Sequence, residues 1–197
     1  MNDKATTIRD EDWDGETLDH QSFEQVTFVD VDMTELMNDG STFDECVFRN
    51  VKFNASTHTD AAFVNCVFST CSLFDVTFTS CKLVGSRFER CTFKLLKVRG
   101  GDWSFVGFAG ADLRGASFTD VRMREADLSG VQCEGAALRS ADLSAAALHN
   151  ADFSGADLRG SDISALDPLT TQIRGAIVGY DQAVTIAEAL GLDVRAD

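Results

Sequence analysis

Residues 111–115 read Ala-Asp-Leu-Arg-Gly, residues 126–130 read Ala-Asp-Leu-Ser-Gly, and residues 156–160 read Ala-Asp-Leu-Arg-Gly again. These stretches share one frame, because their leucines are separated by multiples of five residues. A short repeat of fixed period is typical of a solenoid and takes precedence over local secondary-structure signals. The frame therefore decides the fold if it extends through the rest of the chain.

A column of large apolar residues runs through the chain at this five-residue spacing. It begins at Leu18 and ends at Val178, and of its 33 positions only Asn38, His58 and Pro168 are not apolar. Thirteen of the 15 Phe lie in this column. Neither the 3.6-residue period of a helix nor the two-residue period of a long strand fits this spacing.

A second column, made of small residues such as Ala, Cys and Val, lies two positions before the first. One outward residue separates the columns, which is the alternation of a very short strand. The other residues of each pentad must turn the chain, and ten of the 15 Gly lie at one turn position, where glycine tolerates positive φ. A short strand and a corner, repeated on four sides, predict a β-solenoid with about 20 residues in each coil.

These units resemble the pentapeptide-repeat family, whose consensus is Ala-(Asp/Asn)-Leu followed by two variable residues. The resemblance implies an all-β solenoid, a right-handed quadrilateral β-helix, and the frame places about eight coils in residues 16–178. Residues 1–15 are expected to form an N-terminal cap, with Trp13 as a lid on the first coil. Residues 179–197 are expected to form a C-terminal helix and tail.

The C-terminal segment changes period after Tyr180. Its apolar residues have helical spacing: Ala183, Val184, Ile186, Ala187 and Leu190. Asp181 is expected to cap the start of the helix and Gly191 to end it. The helix either covers the open end of its own solenoid or contacts a second copy in a two-fold dimer. The resemblance favours the dimer, with an interface at Val184, Ile186, Ala187 and Leu190.

The chain is acidic, with 17 Lys and Arg against 32 Asp and Glu and a net charge of −15. This excess argues against direct binding of nucleic acid and of anionic membranes, since both require basic side chains. On a rod of about eight coils the charge density is about two-thirds that of duplex DNA. One basic band interrupts the acidic surface: Lys82, Arg87, Arg90, Lys94, Lys97 and Arg99.

The six Cys lie in the two apolar columns and form no CxxC pair: Cys46, Cys66, Cys71, Cys81, Cys91 and Cys133. They are expected to be small hydrophobic residues of the interior rather than metal ligands or disulfides. Two polar residues interrupt the large column. His58 is expected to mark a distorted corner, and Asn38 an irregular coil or a small loop.

No catalytic motif, metal-ligand spacing or phosphate-binding loop is present, so neither an enzyme nor a cofactor is expected. The N-terminus has no signal-peptide pattern, and no apolar run is long enough to cross a bilayer. A cytoplasmic location is the resulting expectation.

The chain from Gly100 onward resembles the mycobacterial fluoroquinolone-resistance subgroup of the family. The resemblance lies in Gly100-Gly101-Asp102, the Ala-Asp-Leu units, Asp167-Pro168 and residues 181–184 with Gly191-Leu192. It implies a non-enzymatic homodimer that imitates DNA and binds DNA gyrase, a type II topoisomerase. Such a protein inhibits gyrase or protects it from quinolone-type poisons.

The resemblance also assigns candidate contact residues, since outward carboxylates can take the place of DNA phosphates. The carboxylates of the later coils are Asp112, Asp127, Asp142, Asp152, Asp157 and Asp162. A second function remains open, because the basic band at residues 82–99 does not fit a uniform DNA mimic. The alternative is a pentapeptide-repeat scaffold or adaptor that binds another protein through this band.

Overall fold

The computed structural model describes residues 6–195 and confirms a parallel β-solenoid followed by one helix. Fifteen strands of three residues each form the solenoid. They are Thr7–Arg9 (β1), Thr17–Asp19 (β2), Ser22–Glu24 (β3), Thr27–Val29 (β4), Met37–Asp39 (β5), Thr42–Asp44 (β6), Val47–Arg49 (β7), Thr57–Thr59 (β8), Ala62–Val64 (β9), Val67–Ser69 (β10), Thr77–Thr79 (β11), Arg87–Glu89 (β12), Lys97–Arg99 (β13), Ser117–Thr119 (β14) and Ala137–Arg139 (β15). The helix, α1, spans Tyr180–Ala189.

Each coil has the predicted length of 20 residues. Thr7 pairs with Thr27 at the start of the solenoid, and Asp157 pairs with Ile177 at its end, in both cases 20 residues apart. The first face contains β1, β4, β7, β10 and β12, the second β2, β5, β8, β11, β13, β14 and β15, and the third β3, β6 and β9. A fourth face is held by single bridges such as Asp12 with Asp32. The four-sided coil is therefore confirmed.

The corners of the coil require a left-handed backbone conformation. The ten glycines of the turn column have φ between +62° and +78°, as the sequence predicts. However, 21 residues other than glycine have positive φ as well, all at the same position of the pentad. Most are polar or small, and the two large apolar exceptions are Leu95 and Phe105. Glycine therefore relieves the strain of a corner but is not required to form one.

The large column fills the lumen with stacked rings. Along the first face, Phe28, Phe48, Phe68, Phe88 and Phe108 lie one above another with centroids 4.5–4.9 Å apart. Each is almost completely buried. Burial of this continuous column is the main source of stability, because it removes apolar surface from water in every coil.

The cysteines are interior residues, as the sequence predicts. All six are free, and five of them are buried, with Cys91 half-exposed. Burial raises the pKa of the Cys81 thiol to about 11, so it remains protonated at neutral pH. In the described part of the chain, no cluster of three or more His, Cys, Asp or Glu side chains is placed to hold a metal ion.

The predictions of irregular structure at Asn38 and His58 are wrong. Asn38 lies in β5 and His58 in β8, and the two residues are direct neighbours in the second face. Both side chains are buried, and Asn38 Nδ2 donates to His58 Nδ1 at 3.1 Å, while His58 Nε2 lies 3.0 Å from Ser56 Oγ. The coils stay regular because the two polar side chains are hydrogen-bonded to each other inside the lumen, although Asn38 Oδ1 has no partner among the described residues.

The solenoid also begins earlier than the sequence predicts. Residues 1–15 are expected to form a separate cap, yet β1 lies in that segment and pairs in parallel with β4. Trp13 is partly buried over the first coils, with its ring centroid 5.7 Å from that of Phe28. The cap expected over residues 1–5 lies outside the described residues.

The fourth face contains one break in its ladder. Bridges link residues 20 apart from Asp12 as far as Thr92, and they resume at Asp112. Within residues 6–195 no bridge joins Thr92 to Asp112. The two coils are therefore not paired along this face, although the other three faces remain paired at the same level.

Helix α1 starts slightly earlier than predicted. Its N-cap is Gly179 rather than Asp181, which lies in the first turn, and Gly191 follows the helix with φ +86°. Gln182 sets the start, because its Oε1 accepts the Gly179 N–H at 2.7 Å. No helix in the described range is long and apolar enough to cross a membrane.

Gln182 also closes the end of the solenoid. In the preceding coil the Asp162 N–H donates to the carbonyl of Ala141, 21 residues earlier. Gln182 occupies the next position in this series, but its side-chain Nε2 donates to the Ser161 carbonyl at 2.8 Å and to the Leu158 carbonyl at 2.6 Å. A side-chain amide thus takes the place of the backbone donor that a further coil would supply.

Candidate functional surfaces

The six carboxylates predicted to contact a partner do not lie on one surface. Asp112 and Asp152 belong to the fourth face, and Asp142 and Asp162 are neighbours on the third. The remaining two, Asp127 and Asp157, lie on the first and second faces. The structure therefore distributes the set around the rod.

These carboxylates also have a structural role that the sequence did not reveal. In each of the six, Oδ1 accepts the backbone N–H two residues later, at 2.8–3.2 Å. Such a contact stabilises the turn that follows each short strand. The Asp of each repeat therefore stabilises the turn of its own pentad, and this role does not depend on any contact with a partner.

Two of the six are neutralised by arginines of their own pentad. Arg114 binds Asp112 through Nε and Nη2 at 2.8 and 2.6 Å, and Arg159 binds Asp157 in the same way at 2.9 and 2.7 Å. The hydrogen bonds from Arg159 lower the pKa of Asp157 to about 2. These carboxylates remain ionised, but their field is largely cancelled by the paired guanidinium groups.

The negative charge is concentrated in the first part of the rod. Residues 1–80 hold 16 acidic and 4 basic side chains, whereas residues 81–178 hold 12 of each. The negative charge is densest in the acidic tract of residues 10–45, which contains no Lys or Arg. This run of acidic residues is the signal in the sequence that points to the first part of the rod rather than to the later Asp repeats.

Three pairs of carboxylates in the acidic part are direct neighbours across adjacent coils. The pairs are Asp12 with Asp32, Asp19 with Asp39, and Glu24 with Asp44. Like charges placed directly opposite each other in a sheet are destabilising. Lys52 offsets this cost at Asp32, where its Nζ lies 2.9 Å from Oδ2, and Asp142 with Asp162 forms a pair of the same kind in the later coils.

The basic band forms a collar around the rod. Its residues occupy all four sides, and Lys97 Nζ contacts Asp75 Oδ1 at 2.6 Å, while Arg87 Nε contacts Glu89 Oε1 at 3.3 Å. In the described structure no ion pair is formed by Lys82, Lys94 or Arg99. The collar therefore presents cations that are not used within the chain.

The C-terminal end exposes apolar side chains. Of the four predicted dimer residues, Ile186 and Ala187 are half-buried, and Ile186 packs against the core. The other two, Val184 and Leu190, are 38% and 52% exposed. Further exposed apolar residues at this end of the chain are Leu169, Ile177, Tyr180 and Leu192. Such a patch is typical of a protein–protein contact.

A narrow solenoid whose coils are built from five-residue repeats defines the class of this protein. In this chain the faces of the solenoid are charged and its C-terminal end is apolar. The family profile for the pentapeptide repeat region matches residues 39–118, and the profile for eight copies of the pentapeptide repeat matches residues 108–144 and 126–164. Together they cover well over half of the chain. The chain belongs to the pentapeptide-repeat family.

Solved structures of QnrB1, described as a plasmid-mediated fluoroquinolone resistance protein, share this fold. A trypsin-treated variant of QnrB1 has a TM-score of 0.73 and 20% sequence identity over 95% of this chain and 99% of that one. Full-length QnrB1 has a TM-score of 0.72 and 18% identity over 94% of this chain and 100% of that one. At such identities the likeness concerns the fold alone. No curated protein sequence matches the chain significantly.

Proposed function

We propose that this protein is a non-enzymatic mimic of DNA that binds DNA gyrase and inhibits it or protects it from quinolone-type poisons. The observation that carries the proposal is the acidic half of a narrow rod, with a net charge of −12 over residues 1–80. A basic groove that binds duplex DNA attracts such a rod by the same electrostatic force. The fold shared with QnrB1, a fluoroquinolone resistance protein, supports the same conclusion.

The contact surface is proposed to lie mainly on the acidic half. Glu24 and Asp44 are exposed and have no basic neighbour within 4.0 Å in the described residues, and the same holds for Asp39. The six Asp of the later coils remain candidates, but turn contacts and arginines engage them. The carboxylates of both sets point outward. A comparison of variants in the acidic half with variants in the later coils therefore decides which set contacts gyrase.

The first prediction concerns the activity of gyrase. We expect the purified protein at micromolar concentration to reduce supercoiling by gyrase, or to restore it in the presence of a fluoroquinolone. The control is a type I topoisomerase, which relaxes DNA but lacks the DNA-binding groove of gyrase. Its relaxation activity should be unaffected. The absence of an effect on gyrase with and without the drug would reject the proposal.

The second prediction separates the two acidic surfaces. Neutralising the acidic half with Glu24→Gln, Asp39→Asn and Asp44→Asn should weaken the effect on gyrase at least tenfold (about 1.4 kcal/mol). The matched change in the later coils, Asp127→Asn with Asp142→Asn and Asp162→Asn, should weaken it by a smaller factor. The measured quantity is the protein concentration that gives half of the full effect. A larger loss in the later-coil variant would assign the contact to those residues instead.

We also propose that two copies associate through the C-terminal helix. Val184→Asp with Leu190→Asp places charges on exposed positions that contribute nothing to the core of the single chain. Ile186 is left unchanged, because it packs against the chain's own core. Light scattering should show a dimer for the natural sequence and a monomer for the variant, with an unchanged circular dichroism spectrum. A natural chain that is monomeric at high micromolar concentration would contradict the dimer.

A further inference from the structure

The break in the fourth face leaves backbone groups unpaired. One coil earlier, the N–H groups of Leu73 and Asp75 donate to the carbonyls of Thr92 and Lys94, each at 2.8 Å. The equivalent donors of the next coil are Phe93 and Leu95, and within residues 6–195 neither has a backbone acceptor. Donors and carbonyls thus line an opening between two coils, in the way that a sheet edge does.

A groove occupies this opening. Its volume is about 470 Å³, and its lining is largely apolar. The lining residues are Phe74, Cys91, Thr92, Phe93, Lys94, Leu95, Asp112 and Arg114. Phe74 and Leu95 are 47% and 50% exposed, and Gly115, the equivalent corner one coil after Leu95, has open space around it. The groove therefore presents two large apolar side chains to solvent.

Leu95 occupies a backbone position that suits it poorly. Its φ is +61°, in the left-handed region, where the other corners carry glycine or mostly small and polar residues. At 50% exposure its side chain contributes little to the core of the chain. Phe105 has the same character, with φ +60° and 54% exposure, but Leu95 is the one of the two that lines the groove.

The charge around the groove is positive. Residues 81–100 hold six basic side chains and one acidic one in a chain whose net charge is −15. Lys94 lines the groove and forms no ion pair in the described structure, while Arg114 is engaged by Asp112. The free cation favours a ligand that carries carboxylates.

We propose that this groove binds an extended, acidic segment of a partner protein that carries one large apolar side chain. The backbone of the segment pairs with the open groups of Phe93 and Leu95, as in strand addition to a sheet edge. Its apolar side chain packs on the exposed side chains of Phe74 and Leu95, and its carboxylates contact Lys94. The proposal does not depend on gyrase binding, because the groove lies outside the acidic half.

Hydrogen–deuterium exchange monitored by NMR tests the opening itself. In the free protein, the amides of Phe93 and Leu95 should exchange at least about tenfold faster than those of Leu73 and Asp75, which occupy the same positions one coil earlier. Equal exchange rates in the two coils would mean that the ladder is closed and would overturn the proposal.

Binding is tested with a fluorescein-labelled nonapeptide that has a central Phe flanked on each side by four Asp or Glu. We expect saturable binding below about 1 mM in fluorescence anisotropy, with slower exchange of the Phe93 and Leu95 amides in the complex. A peptide with central Ser, a peptide with Lys for the acids, and a single-stranded oligonucleotide should each bind at least about tenfold more weakly. No binding of the acidic Phe peptide, or equal binding of all four probes, would overturn the proposal.

Three substitutions assign the binding to this groove. Leu95→Asn, Phe74→Ser and Lys94→Glu should each weaken peptide binding at least about tenfold. Leu95→Asn should at the same time keep or raise the unfolding midpoint, because Asn tolerates the left-handed conformation. Phe105→Asn is the matched control, since Phe105 is also exposed with φ +60° but lies two corners away. Weaker binding in the Phe105 variant, or unchanged binding in the Leu95 variant, would contradict the assignment. If a higher concentration of the protein alone slows the exchange of the groove amides, the occupant is a second copy of the chain. This result would overturn the proposal of an acidic partner segment.

Discussion

Between about pH 6.5 and about pH 4.5, we expect the contribution of His58 to the free energy of unfolding to fall by about 1.4 kcal/mol for each pH unit. The cause is the burial of this residue, which lowers its pKa to about 3. The unfolded chain binds a proton at this residue below about pH 6.5, whereas the folded chain does not, so protons favour the unfolded state. The full loss, reached near pH 3, is about 4–5 kcal/mol, a large part of the stability of a typical domain.

The surroundings of His58 contain no charge that opposes this effect. Its ring stacks on Phe78 at 4.7 Å and contacts the rings of Phe53 and Phe63. Its polar neighbours are Asn38 and Ser56. The Cys81 thiol, which donates to the His58 carbonyl, has a pKa of about 11 and does not titrate in this window. Protonation therefore places an unpaired charge in an apolar lumen.

Denaturant titrations at several pH values measure the effect. The triple variant Asn38→Leu, Ser56→Ala and His58→Phe restores the apolar column and should lose this slope between pH 6.5 and 4.5. It replaces the histidine together with both of its polar partners, so none of these groups is left buried without a contact. The control His149→Gln changes an exposed histidine and should keep the slope of the natural chain. The same slope in the triple variant would show that other groups are responsible.

The second large effect is expected at Gly101, and its neighbour Gly100 supplies the control. A Cβ on Gly101 would lie 2.0 Å from the Cys81 carbonyl oxygen and 2.8 Å from its nitrogen, so backbone must move. A Cβ on Gly100 would lie no closer than 3.9 Å to any atom beyond its neighbours, with φ +64°. We expect Gly101→Ala to cost at least about 3 kcal/mol and Gly100→Ala about 1–2 kcal/mol.

Unfolding in urea, followed by circular dichroism, distinguishes the two glycines. Both variants carry the same added methyl group, so the difference between their midpoints measures the overlap with Cys81 together with the less favourable φ of Gly101, +93° against +64°. Equal midpoints would mean that the coil relaxes around Gly101 at little cost. The comparison also tests the corner between the second and third faces, where two successive residues have positive φ.

The sequence was sufficient to predict the coil but not the contacts between coils. The five-residue column places Phe28, Phe48 and Phe68 inward, and 20-residue pairing follows from it. The column also predicts irregular coils at Asn38 and His58, because it treats each position separately. The two residues are 20 apart, and their hydrogen bond across adjacent coils becomes evident only when the register is applied to polar residues as well.

The candidate surfaces were predicted less well, for physical reasons. The Asp of each repeat is outward, as expected, but its position in a turn also makes it a hydrogen-bond acceptor for the corner. The break beside Leu95 has no signature in the repeat, because the pentad frame continues through it unchanged. Gln182 was missed because a polar residue on a predicted helix gives no sign that its side chain replaces a backbone donor.

Because every coil has the same length, the rod can be lengthened or shortened by whole coils during evolution. Residues 20 apart are paired from Thr7 to Ile177, and the described solenoid contains no inserted loop. Duplication or loss of one 20-residue block in the gene therefore leaves every remaining coil with the same kind of neighbours. The distance between the acidic half and the apolar C-terminal end can be altered in steps of about 5 Å, the spacing of paired strands, without redesign of the core.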